Sequence, residues 1–126
     1  MVINFNPKYI PGDIVYNHKK EIIRITSSYL KGTKLFYYRD GECGWIREDA
    51  IKPIPLTPEI LEKNGWKKPD DFDSYWLNKI GLSQEGDTWH SALGSTKIAI
   101  TLGNILYVHQ LQHLLFCLGL NSEMEV

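Results

Sequence analysis

Pro53-Ile-Pro-Leu-Thr-Pro58 is where the character of this 126-residue chain changes, and the expected fold follows from what lies on either side of it. Upstream are short runs: Gly12-Asp-Ile-Val-Tyr16, Glu21-Ile-Ile-Arg-Ile-Thr26, Lys34-Leu-Phe-Tyr-Tyr38 and Gly44-Trp-Ile-Arg47. Each is rich in β-branched or aromatic residues, and turn chemistry at Asn17-His-Lys-Lys20, Lys31-Gly-Thr33 and Asp40-Gly41 separates them. Four or five short strands in about 45 residues predict a small, strongly bent antiparallel barrel.

Downstream, Thr57 is placed to cap a helix, Pro58 suits the first helical position, and Glu59 favours the positive helix end. Gly65 after Asn64 supplies the stop, which predicts a short helix over 58–64 with Ile60 and Leu61 turned inward. Pro69-Asp-Asp-Phe-Asp73 reads as a loop. Ser74-Tyr-Trp-Leu-Asn-Lys-Ile80, Thr88-Trp-His-Ser-Ala-Leu93 and Lys97-Ile-Ala-Ile-Thr-Leu102 read as three strands, the last alternating cleanly. Asn104 then caps a closing helix over 105–118, which Gly119 ends. The expected fold is α+β. Residues 1–56 form a small β-barrel whose Gly-Asp-x-Val opening resembles SH3-like barrels, and residues 57–126 form a helix–three-strand–helix module that shares a core with it. Such barrels host many unrelated functions.

Composition is that of a folded chain, 43% hydrophobic and 23% charged, long enough to bury a core without disulfides. Cys43 and Cys117 have no C-x-x-C or metal-type spacing and read as unpaired thiols. The first residues show no secretory signal, and polar residues interrupt the closing helix short of a membrane span, so a cytoplasmic location is expected. The net charge of −1 gives no general reason to bind nucleic acid. Its distribution is uneven: residues 1–56 hold nine Lys/Arg against six Asp/Glu, a net of +3, and residues 57–126 hold five against nine, a net of −4.

The closing helix, Ile105-Leu-Tyr-Val-His-Gln-Leu-Gln-His-Leu-Leu-Phe-Cys-Leu118, carries two histidines four residues apart. A zinc-protease helix reads H-E-x-x-H, with the Glu as general base. Here Gln110 stands in that place, and a carboxamide cannot take a proton from a metal-bound water. At 100° per residue, Tyr107, Val108, Leu111, Leu114, Leu115 and Leu118 form a core face, with His109 and His113 opposite beside Ile105, Leu106 and Phe116. A helix apolar on both sides is sandwiched, either between layers of its own chain or against a partner. The favoured reading makes the imidazoles hydrogen-bonded packing residues. A subunit interface comes second, and metal ligation by His109 and His113 third, since a third ligand would have to come from His90, His18, Cys117 or an acidic side chain.

Aromatic residues crowd the first half: Tyr16, Tyr29, Phe36, Tyr37, Tyr38 and Trp45. Alternation sends Phe36 and Tyr38 to one face and Leu35 and Tyr37 to the other, so at least one tyrosine lies near solvent. Filling a tiny barrel is the favoured role. The functional alternative is a binding face made by Tyr38, Trp45 and Arg47, with Arg47 as a cation close to Trp45. Phe116 joins them as a candidate contact on the last helix. The chain has no phosphate-cradling Gly loop, no G-x-S-x-G elbow, and no Cys or Ser with a local base. Asp70, Asp71 and Asp73 lack EF-hand spacing and read as a solvated turn.

Two segments together, Pro53-Ile-Pro-Leu-Thr-Pro-Glu-Ile-Leu-Glu-Lys-Asn-Gly-Trp66 and Tyr107-Val-His-Gln-Leu-Gln-His-Leu114 onward through Gly119, resemble an uncharacterised family of small proteins from Bacteroides-group gut anaerobes, their prophages and other mobile elements. The resemblance covers most of the chain in the same order. It implies a small cytoplasmic accessory protein and carries over no catalytic residue.

The expected function is therefore that of a non-enzymatic binding or adaptor module acting on a protein partner, with no cofactor and no membrane insertion, and with self-association through the last helix as one form of partnership. Nucleic-acid binding through the net-positive first half is the alternative, and metal binding on the histidine pair the third.

Overall fold

The computed structural model describes residues 8–40, 44–94 and 99–126. Two antiparallel four-stranded sheets carry the structure, each in sequential order. The first comprises β1 (Ile14–Tyr16), β2 (Ile22–Lys31), β3 (Lys34–Arg39) and β4 (Trp45–Arg47); the second comprises β5 (Ser74–Leu77), β6 (Ile80–Glu85), β7 (Thr88–Gly94) and β8 (Ala99–Ile105). Helix α1 (Pro58–Lys63) lies between the sheets in sequence, and α2 (Val108–Cys117) follows the second. No helix among the described residues is long and apolar enough to cross a membrane.

The first sheet curls because β2 changes neighbours along its length. Its start pairs with β1 through Ile22, Ile23 and Arg24; past an irregularity between Ile25 and Ser27 it continues along β3 to Lys31. A bulge of this kind bends a strand and increases its twist. Gly32, at φ +64°, opens the two-residue turn between Lys31 and Lys34, where a primed hairpin turn needs φ > 0. After β4 a single 3-10 turn (Glu48–Ala50) reverses the chain, and Lys52 bridges Tyr16 through two backbone hydrogen bonds of 2.9 Å, covering the free edge of β1.

The second sheet departs from the three-strand expectation. The stretch 74–80 is a strand, a turn and the start of a further strand: Asn78, at φ +55°, begins a two-residue turn between Leu77 and Ile80, and β6 continues to Glu85. Gly81 hides β6 from a hydrophobicity pattern, and its lack of a side chain makes room for Trp76 on the opposite strand, whose Cη2 would lie 2.7 Å from a Cβ there. Of the strand expected at 97–102, Lys97 and Ile98 lie outside the described residues, as does Cys43; β8 itself extends to Ile105.

Helix α1 has the caps its sequence promises. Thr57 Oγ1 accepts from the Ile60 amide, Pro58 occupies the first turn, and Gly65 at φ +87° lets Trp66 N–H reach Leu61 C=O. Helix α2 is shorter than expected. Gln110 Oε1 accepts from the amides of Leu106 (2.8 Å) and Tyr107 (3.1 Å), so the helix begins at Val108, while Asn104, expected as its cap, belongs to β8.

Pro53–Pro58 is a packed strap. Leu56 N–H bonds Leu106 C=O, Val108 N–H bonds Ile54 C=O, and the carbonyl of Leu56 accepts from the indole N–H of buried Trp89 at 3.0 Å. Extended alternation buries Ile54 and Leu56 and leaves Pro53 and Pro55 toward the outside. Two hydrophobic cores result. The larger joins Ile14, Ile54, Leu56, Leu61, Trp66, Ile80, Leu82, Trp89, Ile105, Val108, Leu111, Leu115 and Met124; the smaller joins Tyr9, Val15, Ile25, Tyr37, Ile46 and Ile51. Successive residues of β1, Ile14 and Val15, therefore face different cores.

Candidate functional site

The histidine face of α2 is not open. His109 is buried at 3% exposure, and Gln112 equally so. Gln112 Oε1 accepts from Ile14 N–H at 2.9 Å, and its Nε2 donates to the carbonyls of Gly12 (2.9 Å) and Ser122 (3.0 Å). The carboxamide thus ties the backbone entering β1 to the C-terminal tail. One turn on, His113 Nε2 lies 2.7 Å from Asp13 Oδ2, which also accepts the Ile10 amide. Because a carboxylate accepts, Nε2 carries the hydrogen. The helix is sandwiched between two layers of its own chain.

His109 packs edge-on to Tyr9 (centroids 4.9 Å) and to His113 (5.5 Å) and stacks on Tyr107 (5.9 Å). Burial pushes its pKa down to about 4, against the opposing pull of the nearby Asp13 charge, so the ring is neutral at neutral pH. Its Nδ1 and the Tyr9 hydroxyl are buried without a hydrogen-bond partner among the described residues. Burial, with Glu48 and Asp13 nearby, pushes the Tyr9 phenol up to about 12. The Tyr37 hydroxyl donates to Glu48 Oε2 and accepts from the amides of Lys8 (3.1 Å) and Tyr9 (3.4 Å); burial, then the Glu48 bond, raises its pKa. Among the described residues, no three His, Cys, Asp or Glu side chains are grouped to hold a metal ion. Gln110 and His113 have other work, one capping the helix and one bonding Asp13. His90 is separate, bonded to Glu85 (2.8 Å) and Asn104 (2.7 Å), which raise its pKa.

Tyr38, Trp45 and Arg47 do come together. The register opposes Tyr38 to Trp45, Phe36 to Arg47 and Tyr29 to Phe36, so alternation places all five on the outer face of β2, β3 and β4. Trp45 is 50% exposed and stands edge-on to Phe36 at 4.2 Å and 66°; Tyr29 tilts against Phe36 from the other side at 6.3 Å. Phe36 is thereby buried, while Tyr29, Tyr38 and Trp45 keep surface in solvent. Arg47 shares the face with Trp45, and its guanidinium pairs with Asp49 at 2.7 Å. Phe116, 65% exposed, stands on α2, whose packing partner in the first sheet is β1. Sequence reasoning passed over Asp13 and Gln112, the residues that dock α2, because their partners are about a hundred positions away; the Gly-Asp dipeptide before a buried strand was the available signal.

Compared with family models, curated proteins and solved structures, the chain gives no match.

Proposed function

We propose that this chain is a non-enzymatic binding module that docks a protein partner on the outer aromatic face of β2–β4, with Trp45 as the anchor. One observation carries the reading. A half-exposed Trp is held in a fixed orientation by the buried ring of Phe36 and flanked by two further exposed tyrosines. Rigid aromatic side chains offer large contact area at low entropic cost, and truncating such anchors removes most of an interface's affinity. Flat aromatic rings dominate the face, which suits a protein partner; Lys31 and Lys34 share it by alternation, so nucleic acid is the outcome that the nuclease arm of the test separates.

The curled first sheet, with its 3-10 turn and the Lys52 bridge back to β1, supports an SH3-like barrel as the scaffold. The resemblance to the Bacteroides-group mobile-element family supports a cytoplasmic accessory role. Metal binding on His109 and His113 draws no support from a pair in which one ring is buried and the other bonded to Asp13.

The test is capture of partners from host-type lysate by tagged wild type and Trp45→Ala, with and without nuclease. A discrete nuclease-resistant partner lost in the variant, which should fold with a stability change below about 1 kcal/mol because the site is exposed, supports the face. Nuclease-sensitive capture, or a partner retained in full by the variant, overturns it.

A further inference from the structure

The outward prolines of the strap form one wall of a groove of about 650 Å³ lined by Tyr16, Lys20, Lys52, Pro53 and Pro55. Its floor is apolar and its two charged groups carry one sign. Neither Lys20 nor Lys52 has a carboxylate partner among the described residues, although arginines elsewhere on the same sheet are paired with acids. Lys20 is also held in an unusual conformation. Its φ is +61°, a left-handed value that a lysine adopts at a cost of about 1 kcal/mol.

Buried Asn17 imposes that conformation. Its Oδ1 accepts from the amides of Lys19 and Glu21 at 2.9 Å each, its backbone N–H bonds Glu21 C=O, and Lys20 N–H closes the turn on Asn17 C=O. A turn built this rigidly fixes where the Lys20 side chain leaves the backbone, at the rim of the groove. Prolines supply no N–H, so an occupant cannot extend a hydrogen-bond ladder along them and must dock through its side chains.

We infer that this groove is a second docking site, which takes an acidic peptide segment of a partner protein: an apolar side chain seated against Tyr16, Pro53 and Pro55, with flanking carboxylates on Lys20 and Lys52. Complementary charge across a partly apolar site sets orientation and rejects basic or neutral segments.

The probe is a fluorescein-labelled peptide of sequence Glu-Glu-Leu-Pro-Leu-Glu-Glu, compared by fluorescence anisotropy with its Gln-for-Glu analogue and with a twelve-nucleotide oligothymidine. Wild type should bind the acidic peptide about tenfold more tightly than the analogue, and Lys20→Glu/Lys52→Glu should lose about tenfold. Lys20→Gly suits the positive φ and removes the whole side chain, ammonium and aliphatic stem together, while the Gln-for-Glu peptide isolates the charge. The variant should keep the wild-type melting temperature or raise it, and still lose about threefold in affinity. Trp45→Ala should bind the peptide as wild type does, which separates this groove from the aromatic face. Equal binding of both peptides, unchanged affinity in Lys20→Gly, or lysine-dependent preference for the oligothymidine would each overturn the assignment.

Discussion

Asp13 and His113 are a hundred positions apart in the chain and 2.7 Å apart in space, and the carboxylate is almost sealed from solvent, its side chain 2% exposed. A buried carboxylate is tolerated only with its hydrogen bonds in place, and this one has the His113 ring and the Ile10 amide. The contact joins the start of β1 to the middle of α2.

Removing the imidazole strands the acid. His113→Ala should cost about 2–3 kcal/mol in urea denaturation, below the roughly 3–5 kcal/mol for one partner of a fully buried pair because the ring is itself one-third exposed. Adding Asp13→Asn to that variant should cost less than Asp13→Asn does in wild type, and strict additivity would show that the two groups do not interact.

His109 makes stability pH-dependent. Its folded pKa is depressed to about 4 from the ordinary 6.5, so between those values the unfolded chain binds the extra proton and the folded one does not. Its contribution is present in full above about pH 6.5 and is lost as pH falls toward 4, a change on the order of 3 kcal/mol. His109→Phe removes this titration. Urea midpoints at pH 7.5, 5.5 and 4.5 should fall more steeply in wild type than in the variant; parallel profiles would contradict the assignment.

Gln112 satisfies three backbone groups at once, and Gln112→Ala leaves the Ile14 amide unpaired in a buried site and the Gly12 and Ser122 carbonyls unpaired in part-buried ones. The expected cost is about 3 kcal/mol. Native-state hydrogen exchange should show the Ile14 amide losing protection beyond the global change, whereas amides of β6 and β7 follow the global change alone.

Gly81→Ala forces the indole of Trp76 aside. The ring is half-buried and can tilt outward, so the cost should be about 1–2 kcal/mol with a changed Trp near-ultraviolet signal. In a Trp76→Ala background the same substitution should be nearly neutral.

β1, β3 and β4 could be read from sequence because Gly32 and the Asn17 turn punctuate β-branched runs, whereas β2 runs on to Lys31 past the expected end at Thr26; α1 could be read because Thr57, Pro58 and Gly65 act within a few residues of themselves. Two features hide β6: the turn at Asn78 lacks a glycine or proline to mark it, and Gly81 removes the alternating side chain where Trp76 lies over the backbone. The helix carried an ambiguous motif. Gln110 looked like a damaged catalytic residue, and the amides of Leu106 and Tyr107 show what a carboxamide does there. The Tyr38–Trp45 pairing was half visible, since alternation within β3 is local but the register that adds Trp45 and Tyr29 is a property of three strands together. Nothing local marks His113 for Asp13.

β1 is only three residues long, yet its neighbouring side chains answer to different interiors, Ile14 to one and Val15 to the other. It is a party wall. A slip of one residue would exchange the two tenants, putting each side chain in a space shaped for the other, so both halves police the same alignment. The segment upstream of Pro53 should therefore lose stability when transplanted as an independent cassette, although Tyr9, Val15, Ile25, Tyr37, Ile46 and Ile51 give it a core of its own. Cut there, it would expose Ile14 and lose the amide and imidazole that α2 lends to its first strand.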